Sequence, residues 1–168
     1  HKAAEDYVGS GTTLDKRFDY AKAMLDSLNA KRGVKLCEQK VGVTENLTAC
    51  GFYDKDVWFR GIIDLLIVDT LGETAWVIDY KTGKNARYAV FIHYPEVKKI
   101  KAGLVFVVSN DLIKAKYHEY DTSSLWAKWL GKYEAMKVAA DKNVWNPRPN
   151  GLCKRHCPVT VCAHNGSN

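Results

Sequence analysis

Three charged side chains stand out because they interrupt otherwise apolar sequence. Asp64 closes Arg60-Gly61-Ile62-Ile63-Asp64 and is followed by Leu65-Leu66-Ile67. Asp79 and Lys81 follow Trp76-Val77-Ile78, with Asp79 fifteen residues after Asp64. Charges inside such runs are costly unless they are paired or bound to metal. Asp oxygens are preferred ligands of hard divalent cations. A cation held by Asp64 and Asp79 would polarise a phosphate and lower the pKa of a bound water. Lys81 would hold that nucleophile or offset charge developing in the transition state. A bare Asp…Asp-x-Lys pattern also describes an ordinary salt bridge, so these residues alone leave both readings open.

The elements around them must bring the three together. Val57–Val68 and Ala75–Lys81 read as strands joined by a turn at Leu71-Gly72-Glu73. Residues two apart on a strand share a face, so Asp79 and Lys81 project together, with Asp64 on the neighbouring strand. Val34–Val43, Lys101–Ser109 and Ile113–Tyr120 read as further strands. Helices are expected over His1–Val8, over Leu14–Lys31 (capped by Thr12 or Thr13 and ended by Gly33), and over Leu125–Asp141. Leu14, Phe18, Ala21, Leu25 and Leu28 form one apolar stripe. Trp126, Trp129, Leu130, Tyr133 and Met136 form another, expected to be core. The order predicts an α/β (α+β) fold, a central mixed sheet flanked by helices. Residues 1–145 are expected to form the main domain. Residues 146–168 form a Cys/His-containing appendix packing on it, reached through Asn146-Pro147-Arg148-Pro149-Asn150-Gly151.

The longer pattern resembles the RecB-like branch of the PD-(D/E)xK nucleases, whose core is restriction-endonuclease-like. Gly61-Ile62-Ile63-Asp64 matches the branch's first acidic strand. Val77-Ile78-Asp79-Tyr80-Lys81-Thr82-Gly83 matches its second. His1-Lys2-Ala3-Ala4-Glu5 matches a helix bearing His and then Glu, four residues apart and so on one helical face. The resemblance implies His1 and the Tyr80 backbone carbonyl as further metal ligands, Glu5 and Glu38 as supporting residues, and Mg²⁺ or Mn²⁺ as cofactor. It implies a DNA substrate, single-stranded or with free ends. It further implies a stand-alone exonuclease of recombination or repair, or a viral or CRISPR-adaptation relative, working with a helicase or recombination partner. Competing readings are a non-catalytic DNA-binding module that keeps the fold, and a phosphodiesterase acting on RNA.

The sequence departs from the branch after Lys81, where a Gln-x-x-x-Tyr helix is usual. Lys84-Asn85-Ala86-Arg87-Tyr88 runs almost directly into Phe91-Ile92-His93-Tyr94-Pro95 without a Gln. Ala89–Tyr94 reads as the end of a helix, as if a segment were missing near Tyr88–Ala89. Lys84, Arg87 and Tyr88 are expected to meet the DNA backbone through charge and base stacking.

Five cysteines and a net charge of +6 complete the reading. The odd count argues against a secreted disulfide framework and for a reduced, cytoplasmic or nucleoid-associated protein, including one of viral origin acting in its host. The positive charge suits a polyanionic partner. No apolar run approaches the roughly 20 residues that span a bilayer. Cys153, Cys157, Cys162 and His164 are spaced loosely. They could close a tetrahedral Zn²⁺ site. They could instead supply three of the four thiolates of a [4Fe–4S] cluster, as the resemblance suggests, or be free thiols.

Overall fold

The computed structural model describes residues 2–79, 86–106 and 111–166. It separates into two compact units, His1–Ser124 and Leu125–Asn168. The division falls inside the last long helix, most of which lies in the same unit as the cysteine-bearing tail.

The first unit is a six-stranded mixed sheet with helices on both faces. Its strands are β1 (Val34–Thr44), β2 (Ala49–Cys50), β3 (Val57–Asp69), β4 (Thr74–Asp79), β5 (Lys99–Phe106) and β6 (Asp111–His118). Their spatial order is β2-β1-β3-β4-β5-β6. Only β4 and β5 run parallel. Their connection carries helix α3 (Ala86–His93), as a parallel crossover requires. α3 runs through Tyr88 and Ala89 to His93. Ala89, Val90 and Phe91 pack with Val41, Val43, Ile63, Leu66, Val68, Val77 and Ile100 on one face of the sheet. His93 Nε2 lies 2.7 Å from the Gly42 carbonyl oxygen and ties α3 to β1.

The other face is covered by α1 (Lys2–Ser10) and α2 (Lys22–Asn29). Ala4, Val8, Leu14, Ala21, Leu25 and Leu28 pack there with Leu65, Ile67, Ile78 and Val105. The expected apolar stripe is therefore buried, but its helix starts later than Thr12 or Thr13 would allow. Asp15 caps a 3-10 turn over Lys16–Ala21 by accepting a hydrogen bond from the Arg17 amide, and α2 follows. The hydrogen bonds from Arg17 hold the Asp15 carboxyl down at about 2. Tyr7 donates to Asp26, which also accepts from Lys22 at 2.7 Å, joining α1 to α2.

The β3–β4 turn is clamped from the far side. Asp69 is buried, accepts from Arg32 Nε at 3.0 and 3.1 Å, and accepts from the Gly72 amide at 3.0 Å. The Arg32 hydrogen bonds hold the Asp69 carboxyl below its ordinary range, with burial opposing them and the Gly72 amide helping. A carboxyl lowered on folding adds stability above its unfolded value of about 3.9, and that stability is lost as pH falls through the folded value. Asp69→Asn should therefore melt below wild type at pH 7, with the gap closing below about pH 4. Thermal melts from pH 7 to 3 test this; a gap that stays constant across the range contradicts the clamp.

The second unit contains most of α4 (Thr122–Asp141) and the tail. Trp126 is buried, whereas Met136 is 61% exposed, so the expected apolar stripe is core at its first position and open at its last. The tail folds on itself through backbone hydrogen bonds. Buried Asn165 donates from Nδ2 to the carbonyls of Cys157 and Val159, both at 3.1 Å, and the Gly166 amide reaches the Cys153 carbonyl at 3.1 Å.

Candidate functional site

β1, β3 and β4 lie side by side, and their register aligns three carboxylates. The pair Leu65↔Ile78 joins β3 to β4, and the next position on each strand is Asp64 and Asp79. Between the pairs Cys37↔Leu65 and Gln39↔Ile63 lie Glu38 on β1 and Asp64 on β3. Glu38, Asp64 and Asp79 thus form a row across the sheet with Asp64 at its centre. The two Asp residues are half-buried and Glu38 is exposed.

The strands are irregular at this row. In a continuous strand, residues an odd number apart lie on opposite faces. Yet Leu36 and Val41 pack on the same face, as do Ile63 and Leu66. Cys37, Leu65 and Ile67 pack on the other. Each strand therefore takes one out-of-phase step, β1 at Glu38 and β3 opposite it at Asp64, and the register resumes unchanged. Glu38 has φ of 50°, a left-handed conformation that costs a non-glycine residue roughly 1–2 kcal/mol. Strain of this kind persists where the surroundings fix it, and it gathers at functional sites.

Helix α1 is packed against the same level. A Cβ on Gly9 would lie 2.6 Å from Cys37 Sγ, so glycine is what lets the helix approach β1 beside Glu38. Burial pushes the Cys37 thiol up, with the Glu5 charge adding to it. Glu5 sits in α1, its side chain 14% exposed and 3.2 Å from Lys2 Nζ.

Three carboxylates on adjacent strands can share a cation. The donor set is all oxygen, which suits a hard divalent ion. Their oxygens are not all within 4.8 Å of one another. Among the described residues, the ligand atoms that do gather so closely belong to Cys50, at the end of β2, and Asp54 and Asp56, in the β2–β3 loop. There the Asp54 carboxylate also accepts the Gly51 amide at 2.6 Å.

The remaining expected site residues fare differently. His1, Tyr80, Lys81 and Lys84 lie outside the described residues. Arg87 falls in the first turn of α3, and its side chain is outside the described part. Tyr88 is 4% exposed and packs edge-on against Tyr117, with ring centroids 5.8 Å apart. Its ring is thereby committed to the core rather than offered to a base. Cys153, Cys157 and Cys162 are half-buried and form no disulfide among the described residues, and with His164 they do not draw together there as a metal-binding group. Asn165 and the backbone hold that tail instead.

Sequence reading also missed a group on the β2–β3 loop. Phe52 and Tyr53 meet edge to face with centroids 5.0 Å apart. Lys40 Nζ lies 5.5 and 5.0 Å from their rings, and Arg60 Cζ lies 5.7 Å from Phe52. No sequence period links these residues; the β1–β3 pairing does. Among the described residues, no helix is long and apolar enough to cross a membrane.

Comparison with known proteins gives a family. A family model described as the PD-(D/E)XK nuclease superfamily matches residues 4–162, which takes in the carboxylate row, α3 and most of the tail. Searches of curated proteins and of solved structures give no significant match. With a family match over nearly its whole length, and the sheet and acidic row to go with it, the chain belongs to the PD-(D/E)XK nuclease superfamily.

Proposed function

We propose that this protein is a metal-dependent nuclease that hydrolyses phosphodiester bonds in DNA, acting as an exonuclease on single strands or ends. The observation that carries the reading is the row Glu38–Asp64–Asp79, set by the β1–β3–β4 register at a strained step. Asp64 and Asp79 would hold Mg²⁺ or Mn²⁺, with His1 and the Tyr80 carbonyl as the remaining protein ligands. When bound, the ion supplies Lewis-acid polarisation of the phosphate and a water of lowered pKa.

The chain's own groups do the rest. Lys81 follows Asp79 by two residues and is assigned to the nucleophile and to charge growing on the phosphate oxygens. Glu38 lies across from Asp64 and orients the outer edge of the site. Leu65 and Ile78, the last buried pair before the row, close its inner side against water. The test is degradation of labelled single- and double-stranded DNA, with Mg²⁺ or Mn²⁺, by wild type and Asp79→Ala.

Lys84 and Arg87 are assigned to backbone phosphates. Each phosphate contact adds about 0.7–0.9 to the slope of log affinity against log salt. The double substitution to Ala should therefore lower that slope by between one and two. Titrations from low to moderate salt read it directly, and an unchanged slope removes both residues from the interface.

A further inference from the structure

We propose that Phe52, Tyr53, Lys40 and Arg60 form a ledge that holds an unpaired base and its phosphate beside the carboxylate row. This rests on the nuclease reading for its substrate and adds which strand form the site selects. The out-of-phase step at Glu38 and Asp64 is what creates the ledge. Beyond it, Val41, Val43 and Ile63 face α3, so Lys40, Arg60 and Ile62 turn to the opposite face. The helices there do not cover this end of the sheet: Ile62 is 48% and Tyr53 73% exposed.

An exposed phenol ring on a loop is rarely fixed in place; this one is. Lys40 Nζ donates to the Tyr53 hydroxyl at 3.1 Å and lies over both rings, and Phe52 braces Tyr53 from its edge. The arrangement leaves a prepositioned aromatic surface bordered by two cations. Aromatic rings interleaved with basic groups are the usual platform for single-stranded nucleic acid, because every base has a face to stack. Paired bases stack on each other and offer such a ring nothing. Arg60 is four residues from Asp64 on one strand, roughly 13 Å. Lys40 and Arg60 thus stand on the same two strands, β1 and β3, that carry Glu38 and Asp64.

The experiment separates the ledge from the chemistry. Binding of fluorescein-labelled oligothymidine and of a labelled blunt hairpin duplex is measured by anisotropy, in EDTA so that no cleavage occurs. Tyr53→Ala should weaken oligothymidine binding by roughly 5- to 150-fold, the effect of removing one stacking platform, and leave duplex binding within about twofold. Tyr53→Phe keeps the ring and should bind within about twofold of wild type. Lys40→Ala with Arg60→Ala should weaken oligothymidine binding and flatten its salt dependence. Circular dichroism and melting of each variant confirm folding, which the exposure of Tyr53 favours. Unchanged oligothymidine affinity in Tyr53→Ala, an equal loss for the duplex, or an equal loss in Tyr53→Phe overturns the ledge. If wild type binds as expected yet cleaves nothing with Mg²⁺ or Mn²⁺, the nuclease reading fails and the ledge stands. If cleavage occurs and Tyr53→Ala binds and cuts as wild type does, the ledge fails alone.

Discussion

Asp79→Ala should lose at least about 1,000-fold in cleavage rate. A metal-held transition state draws several kcal/mol from its ligand carboxylates, and each 1.4 kcal/mol is tenfold. Asp64→Ala should lose as much, because Asp64 is the centre of the row and neighbours both other carboxylates. The two losses should not add, since either removal dismantles the same cation site. Glu38→Ala should cost less, Glu38 being exposed and at the end of the row. Single-turnover degradation of end-labelled DNA gives the rates. A second readout is independent of activity. Mn²⁺ or Mg²⁺ stabilises only the folded chain that binds it, so the melting temperature of wild type should rise with metal. Asp79→Asn, which keeps the shape and removes the charge, should show no such rise. Residual cleavage within tenfold of wild type in Asp79→Ala, or an equal metal-dependent rise in Asp79→Asn, would place the chemistry elsewhere. Cys50, Asp54 and Asp56 would then be the next group to substitute.

The pairing of Asp64 with Asp79 on neighbouring strands was legible in the sequence. Asp64 and Asp79 interrupt apolar runs, and a short turn between two strands can pair them in only a few ways. The strands, the mixed sheet and the Leu14–Leu28 stripe follow from periods of two and 3.6. The step at Glu38 was not legible. A glutamate with positive φ carries no signature of its own, and a strand that changes phase once reads as two acceptable strands in either phase. That single step decides which residues of β1 and β3 face solvent, so the ledge of Lys40, Arg60, Phe52 and Tyr53 was hidden with it. Tyr88 misled because aromatic residues near a basic loop suit both stacking and core; its burial against Tyr117 decides for core. The tail misled in the opposite sense. Cysteine and histidine drew attention, while the group that organises it is Asn165, whose amide satisfies two backbone carbonyls. In α4 the apolar spacing is real, but spacing alone does not say how far along a helix a partner extends.

Gly33→Ala should be the most damaging conservative change away from the site, costing about 3 kcal/mol or more. Two independent effects combine there. Gly33 has φ of 124°, a region that side-chain-bearing residues rarely enter. An added Cβ would lie 2.4 Å from the Val68 carbonyl oxygen and 2.9 Å from the Asp69 amide nitrogen, both backbone atoms that no rotamer change can move. To relieve the contact, β1 must separate from the end of β3 at the Val34↔Val68 pair, next to the Arg32–Asp69 clamp. In a chain of this size each kcal/mol moves the melting temperature by about 2–4 °C, so a fall of roughly 6–12 °C is expected. Two controls isolate the causes. Gly11→Ala meets the φ penalty alone, with φ of 66° and nothing within 4 Å, and should cost about 1 kcal/mol. Gly131→Ala, inside α4 with open space around it, should be neutral or stabilising by up to about 1 kcal/mol. Gly33 meets β3 at Val68 and Asp69, four and five residues along the strand from Asp64, and touches none of the three carboxylates. At a temperature where Gly33→Ala is still folded, its cleavage rate should therefore match wild type while its melting temperature does not. A variant that lost rate and kept stability would mean that the clamped end of the sheet communicates with the acidic row, and that β3 does not hold Asp64 as an independent rigid support.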